Sequence, residues 1–158
     1  MSGAGAPTTQ SPIDATGLDV VIIAGTWHDV ITDGLIAGAE RVLDAAHATR
    51  RLVRVPGSFE LAVAAQAAFA GGADAVVALG VIIRGGTPHF EYVSAATTDG
   101  LTRVALDAGR PVGFGVLTLD DEQQGLDRAG LEGSKEDKGA EAADAALRTA
   151  LVIRELRG

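Results

Sequence analysis

Residues 75–89, Ala75-Val76-Val77-Ala78-Leu79-Gly80-Val81-Ile82-Ile83-Arg84-Gly85-Gly86-Thr87-Pro88-His89, decide the fold. Ala75 to Ile83 is an unbroken apolar run, the pattern of a strand buried on both faces. Arg84-Gly85-Gly86 ends it. Thr87 is a good N-cap, because its hydroxyl can accept a free backbone N–H. Pro88 suits the first helical position, where no N–H is needed. The spacing therefore predicts strand, tight loop, then helix from Pro88 to about Leu106. Two glycines let the backbone approach a ligand, and the free N–H groups of a helix start attract anions. His89 stands beside that anion site. One short loop can thus hold a phosphate and a proton-transfer group together, which points to chemistry on a small phosphorylated substrate.

The same alternation extends in both directions. Leu18 to Ala24 is an apolar β-type run, and Asp29 to Ala46 repeats apolar residues at helical spacing. Leu52 to Val55 is a short strand ended by Pro56-Gly57. Ser58 caps a helix that Gly71-Gly72 stops. Val112 to Leu117 is a further strand. Asp120 or Asp121 caps a helix to Ala129, and Lys138 to Arg157 is a last amphipathic helix. Strands alternating with helices imply right-handed crossovers and a parallel sheet with helices on both faces. Ligands of such sheets bind beyond the carboxyl ends of the strands. The loops Gly25-Thr26-Trp27-His28, Pro56-Gly57-Ser58-Phe59-Glu60 and Arg84-Gly85-Gly86-Thr87 all follow strands and should gather there. Residues 1–16 are small and polar and are expected to form a flexible arm, leaving residues 17–158 as a single domain.

Composition narrows the function. A net charge of −8 over 158 residues argues against nucleic acid or an anionic membrane as partner. An anionic substrate must then meet a local positive cluster. The chain has no cysteine, hence no disulfide, no thiol nucleophile and no cysteine metal site. His28, Asp29, His47 and His89 have no recognised metal spacing. No apolar run reaches the roughly 18 residues that span a bilayer, and the N-terminus lacks the pattern of a signal peptide. A cytoplasmic protein is the expectation. Only Lys135 and Lys138 can supply a side-chain amine, so imine chemistry would draw its amine from a substrate.

Individual residues carry two readings each. His89 is either a general acid–base group or a surface histidine at a helix start. Trp27 either stacks on a planar heterocycle or packs in a core or interface. Phe59 and Phe114 share that ambiguity. Glu60 either accepts substrate hydroxyls or simply complements the helix dipole. Arg84, Arg128 and Lys138 are candidate phosphate binders or solvated charges. Lys138 opens a helix, where a cation opposes the dipole, which hints at another use.

Taken together, Gly25-Thr26-Trp27-His28, Val55-Pro56-Gly57-Ser58-Phe59-Glu60, Ala78-Leu79-Gly80 through Val93, Phe114-Gly115-Val116-Leu117-Thr118, Asp127-Arg128-Ala129-Gly130 and Asp137-Lys138-Gly139 resemble the lumazine synthase family of riboflavin biosynthesis. The resemblance runs from about residue 18 to 156, with the blocks in order. It implies a flavodoxin-like α/β three-layer sandwich with a central four-stranded parallel sheet. It implies condensation of 5-amino-6-ribitylamino-uracil with 3,4-dihydroxy-2-butanone 4-phosphate to 6,7-dimethyl-8-ribityllumazine, with release of phosphate and water and without cofactor or metal. By resemblance, Trp27 stacks on the pyrimidine, and Ser58, Phe59 and Glu60 line the ribityl pocket. Val81, Ile82 and Ile83 offer backbone contacts to the pyrimidine. Gly86 and Thr87 bind phosphate, with Arg128 as countercharge, and His89 shuttles protons. Phe114 and Lys138 complete the pocket. Phe114, Arg128 and Lys138 would come from the neighbouring subunit of a homopentamer, so the site lies between subunits.

Three positions depart from the family pattern. Gly86 stands where Glu or Gln is common, Trp27-His28 replaces Phe-Asn, and Asp137 replaces Asn, setting a negative charge near the phosphate site. The segment 131–137 is longer by about two residues than in shell-forming members, a length change of the kind surface loops tolerate, which favours a free pentamer. A non-catalytic flavin or lumazine binder on the same scaffold is the alternative. A third reading is a sheet-based phosphosugar isomerase with His89 as base on another phosphorylated ketone, which has no use for Trp27 and Phe59; the synthase ranks above both.

Overall fold

Strand β1 (Asp19–Ala24) lies in the middle of a sheet, between β2 (Thr49–Arg54) and β3 (Ala75–Ile83), with β4 (Val112–Leu119) outside β3. The order is β2-β1-β3-β4 and every pairing is parallel, as the apolar run at 75–83 requires. The computed structural model describes residues 4–8 and 10–158. Residues 1–3 and 9, part of the expected arm, lie outside the described residues.

Helices α1 (Asp29–Ala45) and α5 (Lys138–Arg157) cover one face, and α2 (Leu61–Ala70) and α3 (His89–Ala108) the other. Alternate residues of β1 point to opposite layers. Val20, Ile22 and Ala24 join Leu35, Leu43 and Leu147, while Val21 and Ile23 join Leu61, Phe69 and Leu101. The two apolar layers exclude water from both sides of β3, and this burial is the main stabilising contribution.

Close approach on the first face depends on glycine. A Cβ at Gly139 of α5 would stand 2.0 Å from the Leu35 carbonyl oxygen of α1. One at Gly113 of β4 would stand 2.2 Å from the Ala142 carbonyl oxygen. The backbones of α1, α5 and β4 therefore touch directly.

Three elements differ from their sequence reading. β2 begins at Thr49 rather than Leu52, because Thr49 to Arg54 pair residue for residue with Asp19 to Ala24. Arg50 and Arg51 hide this, and the strand is an exposed sheet edge. The helix expected to reach Ala129 is only α4 (Glu122–Leu126), capped by the Asp121 carboxylate, which accepts the Gln124 N–H. Beyond it the chain folds back. The Leu126 carbonyl accepts the Ser134 hydroxyl, and the Asp127 carbonyl accepts the amides of Lys135 and Glu136. Those bonds satisfy the carbonyls that another helical turn would have used. Ser58 does not start a long helix. Residues Ser58–Glu60 form a 3₁₀ turn ahead of α2.

The end of the N-terminal segment is held against the body. Ala15 is fully buried and its N–H donates to the Ala46 carbonyl. The Ser11 carbonyl accepts from Arg148.

Candidate active site

The loops after β1, β2 and β3 meet at the carboxyl edge of the sheet. Thr26 fastens two of them, donating its hydroxyl to the Pro56 carbonyl at 2.7 Å. Gly25 N–H donates to Leu79 O, and Arg54 donates to Gly25 O. Trp27 follows. Its carbonyl accepts the Thr32 hydroxyl, which anchors the residue while its indole stays 67% exposed. The edge of that ring lies beside Gly57, where an added Cβ would be 3.6 Å from indole Nε1. His28 adopts a left-handed conformation (φ 56°) as it leads into α1, a strained backbone of the kind found near ligand sites.

In the second loop Ser58 is buried against β3. A Cβ at Gly80 would meet its hydroxyl oxygen at 2.4 Å, so glycine at 80 is what admits Ser58. The Ser58 carbonyl accepts the Thr97 hydroxyl from α3. Phe59 is 64% exposed. Glu60 reaches back, its Oε2 accepting the Gly57 N–H at 2.9 Å. That bond realises the local reading of Glu60 and shapes the loop, and it uses one carboxylate oxygen only.

β3 outruns β1. Pairing between them ends at Ala24 with Leu79, whereas β3 and β4 stay paired to Ile83 with Leu119. Val81, Ile82 and Ile83 thus present one backbone edge with no strand partner among the described residues, on the side of Trp27. The loop beyond is anchored by Arg84. Its N–H donates to Leu119 O, and its guanidinium pairs with Asp120 and Glu91 and lies 4.3 Å from the Phe90 ring centre. Hydrogen bonds to Asp120 and Glu91 raise the Arg84 pKa, and Arg84 in turn lowers that of Glu91. As a candidate phosphate binder Arg84 is thereby corrected: its guanidinium is committed to holding the loop.

Gly85 and Gly86 face open space, with nothing within 4 Å of an added Cβ and no positive φ. Helix α3 begins at His89, one residue later than expected, with Pro88 at its cap. Thr87 still caps in substance, its hydroxyl accepting the His89 N–H at 3.4 Å. Gly86, Thr87 and His89 are all exposed.

Arg128, Lys138 and Phe114 stand elsewhere on the chain. Phe114 pairs with Ala78 at mid-sheet, 47% exposed on the outer strand. Arg128 donates to the Gln124 carbonyl at 2.9 Å, and its Nε lies 3.5 Å from Glu136. Lys138 pairs with Glu141 at 2.8 Å and with Glu136 at 3.5 Å. Burial opposes its charge, but Glu141 and Glu136 outweigh burial and raise its pKa. Among the described residues no hydrogen bond or ion pair joins His89 or Trp27 to Arg128.

Asp137 proves to be structural. Its Oδ1 accepts the Ala140 N–H as cap of α5, and its Oδ2 accepts from Arg41 of α1. The expected negative charge beside phosphate is thus matched by Arg41. Sequence reading missed Arg41 and Glu136. The only available signal was the packing of charges around Lys138, which carries no geometry.

The site is a ledge rather than a cleft. Two open clefts of roughly 320 and 290 Å³ lie toward the opposite edge of the sheet, around Phe69, Arg110 and Arg154, and include no ledge residue. No group of three or more His, Asp or Glu side chains able to hold a metal occurs among the described residues, and no helix there is long and apolar enough to cross a membrane.

Comparison with known proteins identifies the family. The sequence model of 6,7-dimethyl-8-ribityllumazine synthase matches residues 17–154. A protein of that name from Leifsonia xyli subsp. xyli is 75% identical over the whole of both chains. The one from Clavibacter michiganensis subsp. michiganensis is 67% identical, covering 100% of this chain and 99% of its own. The one from a Nocardioides species is 62% identical over 99% of this chain and 97% of its own. The chain therefore belongs to the 6,7-dimethyl-8-ribityllumazine synthase family.

Proposed function

We propose that the ledge at the carboxyl edge of the sheet is one half of the synthase active site and that a neighbouring copy supplies the other. The enzyme joins 5-amino-6-ribitylamino-uracil to 3,4-dihydroxy-2-butanone 4-phosphate. The substrate's 5-amino group adds to the ketone carbon, and loss of water gives the imine. A proton then leaves the carbon beside it as the C–O bond to phosphate breaks, giving an enol. The enol loses its hydroxyl proton and gains one at the terminal carbon, which becomes a methyl group beside a new carbonyl. The ribityl-bearing nitrogen closes the ring on that carbonyl carbon, and a second water leaves. No enzyme amine takes part.

The observation that carries the reading is the unpaired backbone edge of Val81–Ile83, with Trp27 beside it. A planar pyrimidine there hydrogen-bonds to β3 as a further strand would, while the indole stacks on its face. Ser58, Phe59 and the free oxygen of Glu60 take the ribityl chain. Gly86 and Thr87, at the start of α3, receive the phosphate through N–H groups and a hydroxyl. Open space at Gly86 keeps the backbone accessible although the side chain common in the family is missing. His89, the first residue of α3 and two residues beyond Thr87, moves protons during imine formation and elimination.

Among the described residues Arg128 has its hydrogen bond and ion pair with Gln124 and Glu136 rather than with the ledge, which agrees with a homopentamer whose sites lie between subunits. The neighbour's Arg128 then faces the leaving phosphate and stabilises the charge that grows as the bond breaks. Orientation of two substrates supplies much of the remaining acceleration. The catalytic body would begin at residue 17, the arm before it taking no part in the chemistry, and the protein would work in the cytoplasm.

Turnover tests this directly. Purified protein mixed with both substrates should form the fluorescent lumazine, and His89→Ala should lower kcat by roughly 10²-fold or more, the usual size of general acid–base assistance, with folding intact. Flavin binding without turnover would instead establish the non-catalytic binder.

A further inference from the structure

The cations assigned to phosphate are already matched by anions, and Glu136 is where they converge. Its Oε2 lies 3.5 Å from Arg128 Nε and its Oε1 lies 3.5 Å from Lys138 Nζ. The Glu136 side chain is only 19% exposed. Lys138 also meets Glu141, and the nearby Lys135 meets Asp127. The backbone that carries Glu136 is held in place. Its N–H donates to Asp127 O and its carbonyl accepts the Gly130 N–H. The Lys138 N–H, two residues on, donates to Arg128 O. From that anchored segment the carboxylate reaches between the two cations. Arg128 has Nη1 on the Gln124 carbonyl and Nε toward Glu136, which leaves Nη2 to face an incoming anion.

A phosphate arriving at that edge gains the attraction of Arg128 and meets the repulsion of Glu136. We propose that Glu136 sets the affinity for phosphate, acting as an internal anion that competes with phosphate for Arg128 and Lys138. The inference rests on Arg128 being the countercharge of the leaving phosphate. Each turnover frees inorganic phosphate where the next phosphorylated substrate must bind. A cation pair without a built-in counter-anion would hold that product and obstruct the following cycle. Affinity common to the bound substrate and the transition state adds nothing to kcat, so weakening it costs little in rate.

Glu136→Gln keeps the shape and removes the charge. The inhibition constant of inorganic phosphate and the KM of the butanone phosphate should both fall by roughly tenfold, the scale set by deleting one like charge a few ångströms from an anion in a half-exposed setting. The KM of the aminopyrimidine should not move. Glu136→Ala carries the same expectation without an amide, and Glu136→Asp, which keeps the charge, should restore phosphate inhibition toward the wild-type value. Unchanged or weakened phosphate binding in the neutral variants would overturn the proposal, the latter by showing that Glu136 chiefly orients Arg128. An Arg128→Ala arm separates the two levels of the argument. If that variant raises the KM of the butanone phosphate while the Glu136 variants leave it alone, only the role of Glu136 fails. If Arg128→Ala does not raise it, the phosphate site itself is misplaced and the proposal falls with it.

Discussion

Asp137 shows how a residue can mislead in sequence and be plain in structure. Beside Lys138 it resembles an anion in the wrong place, yet its two oxygens serve the Ala140 N–H and Arg41. A cap needs a side-chain oxygen, which Asn supplies as well as Asp. Asp137→Asn should therefore leave the KM of the butanone phosphate unchanged, whereas Asp137→Ala should lower unfolding free energy by about 1 kcal/mol, measured by denaturant titration. Arg84 is the opposite case. It is next to the phosphate loop but spends its charge on Asp120 and Glu91. The chemical identity of Trp27, Ser58 and His89 was legible in the sequence. Their neighbours were not, because ion pairs between segments far apart leave no local pattern.

Elements report the limits of periodicity. The apolar run of β3 announced itself, since a strand buried on both faces needs no polar alternation. Edge strand β2 was legible only from Leu52, because Arg50 and Arg51 break its apolar pattern. Helix α4 ended early because the following loop captures its carbonyls through Ser134, Lys135 and Glu136. The tight contact of α1 with α5 yields a further expectation. Gly139→Ala would drive a methyl group into the Leu35 carbonyl, backbone against backbone, so the helices must part. Overpacking of this kind should cost roughly 1–3 kcal/mol, read as a lowered denaturation midpoint.

At the scale of the whole molecule, exposed carboxylates shape the acid limit of stability. Arg84 lowers the pKa of Glu91, Arg50 that of Asp44, Gln123 and then Lys135 that of Asp127, and Thr16 that of Asp14. A carboxyl with a lowered folded-state pKa binds its proton less readily folded than unfolded. Its contribution is complete above the ordinary carboxylate value of about 4 and is lost as pH falls below it. Tm should hold from pH 7 down to that region and then drop, and salt should flatten the drop because these pairs are exposed. Assembly makes a separate prediction. If His89 and Arg128 of one site belong to different subunits, the His89→Ala and Arg128→Ala proteins, each impaired apart, should gain activity when unfolded and refolded together. Random mixing in a closed ring leaves about a quarter of the sites with both residues intact. Absence of rescue, or a scattering mass of a single chain, would count against the shared site, and a megadalton particle would replace the free pentamer with a shell.

By itself the sequence determined the parallel α/β class, the family, and the glycine-rich loop that leads from β3 into the helix carrying His89, because these rest on local composition and spacing. Tertiary structure decided which charges are spent and which remain. It alone showed that β3 outruns β1, that Arg41 answers Asp137 and that Glu136 sits between Arg128 and Lys138. Each of these depends on the register or contact of segments distant in sequence, and no local pattern encodes such a distance.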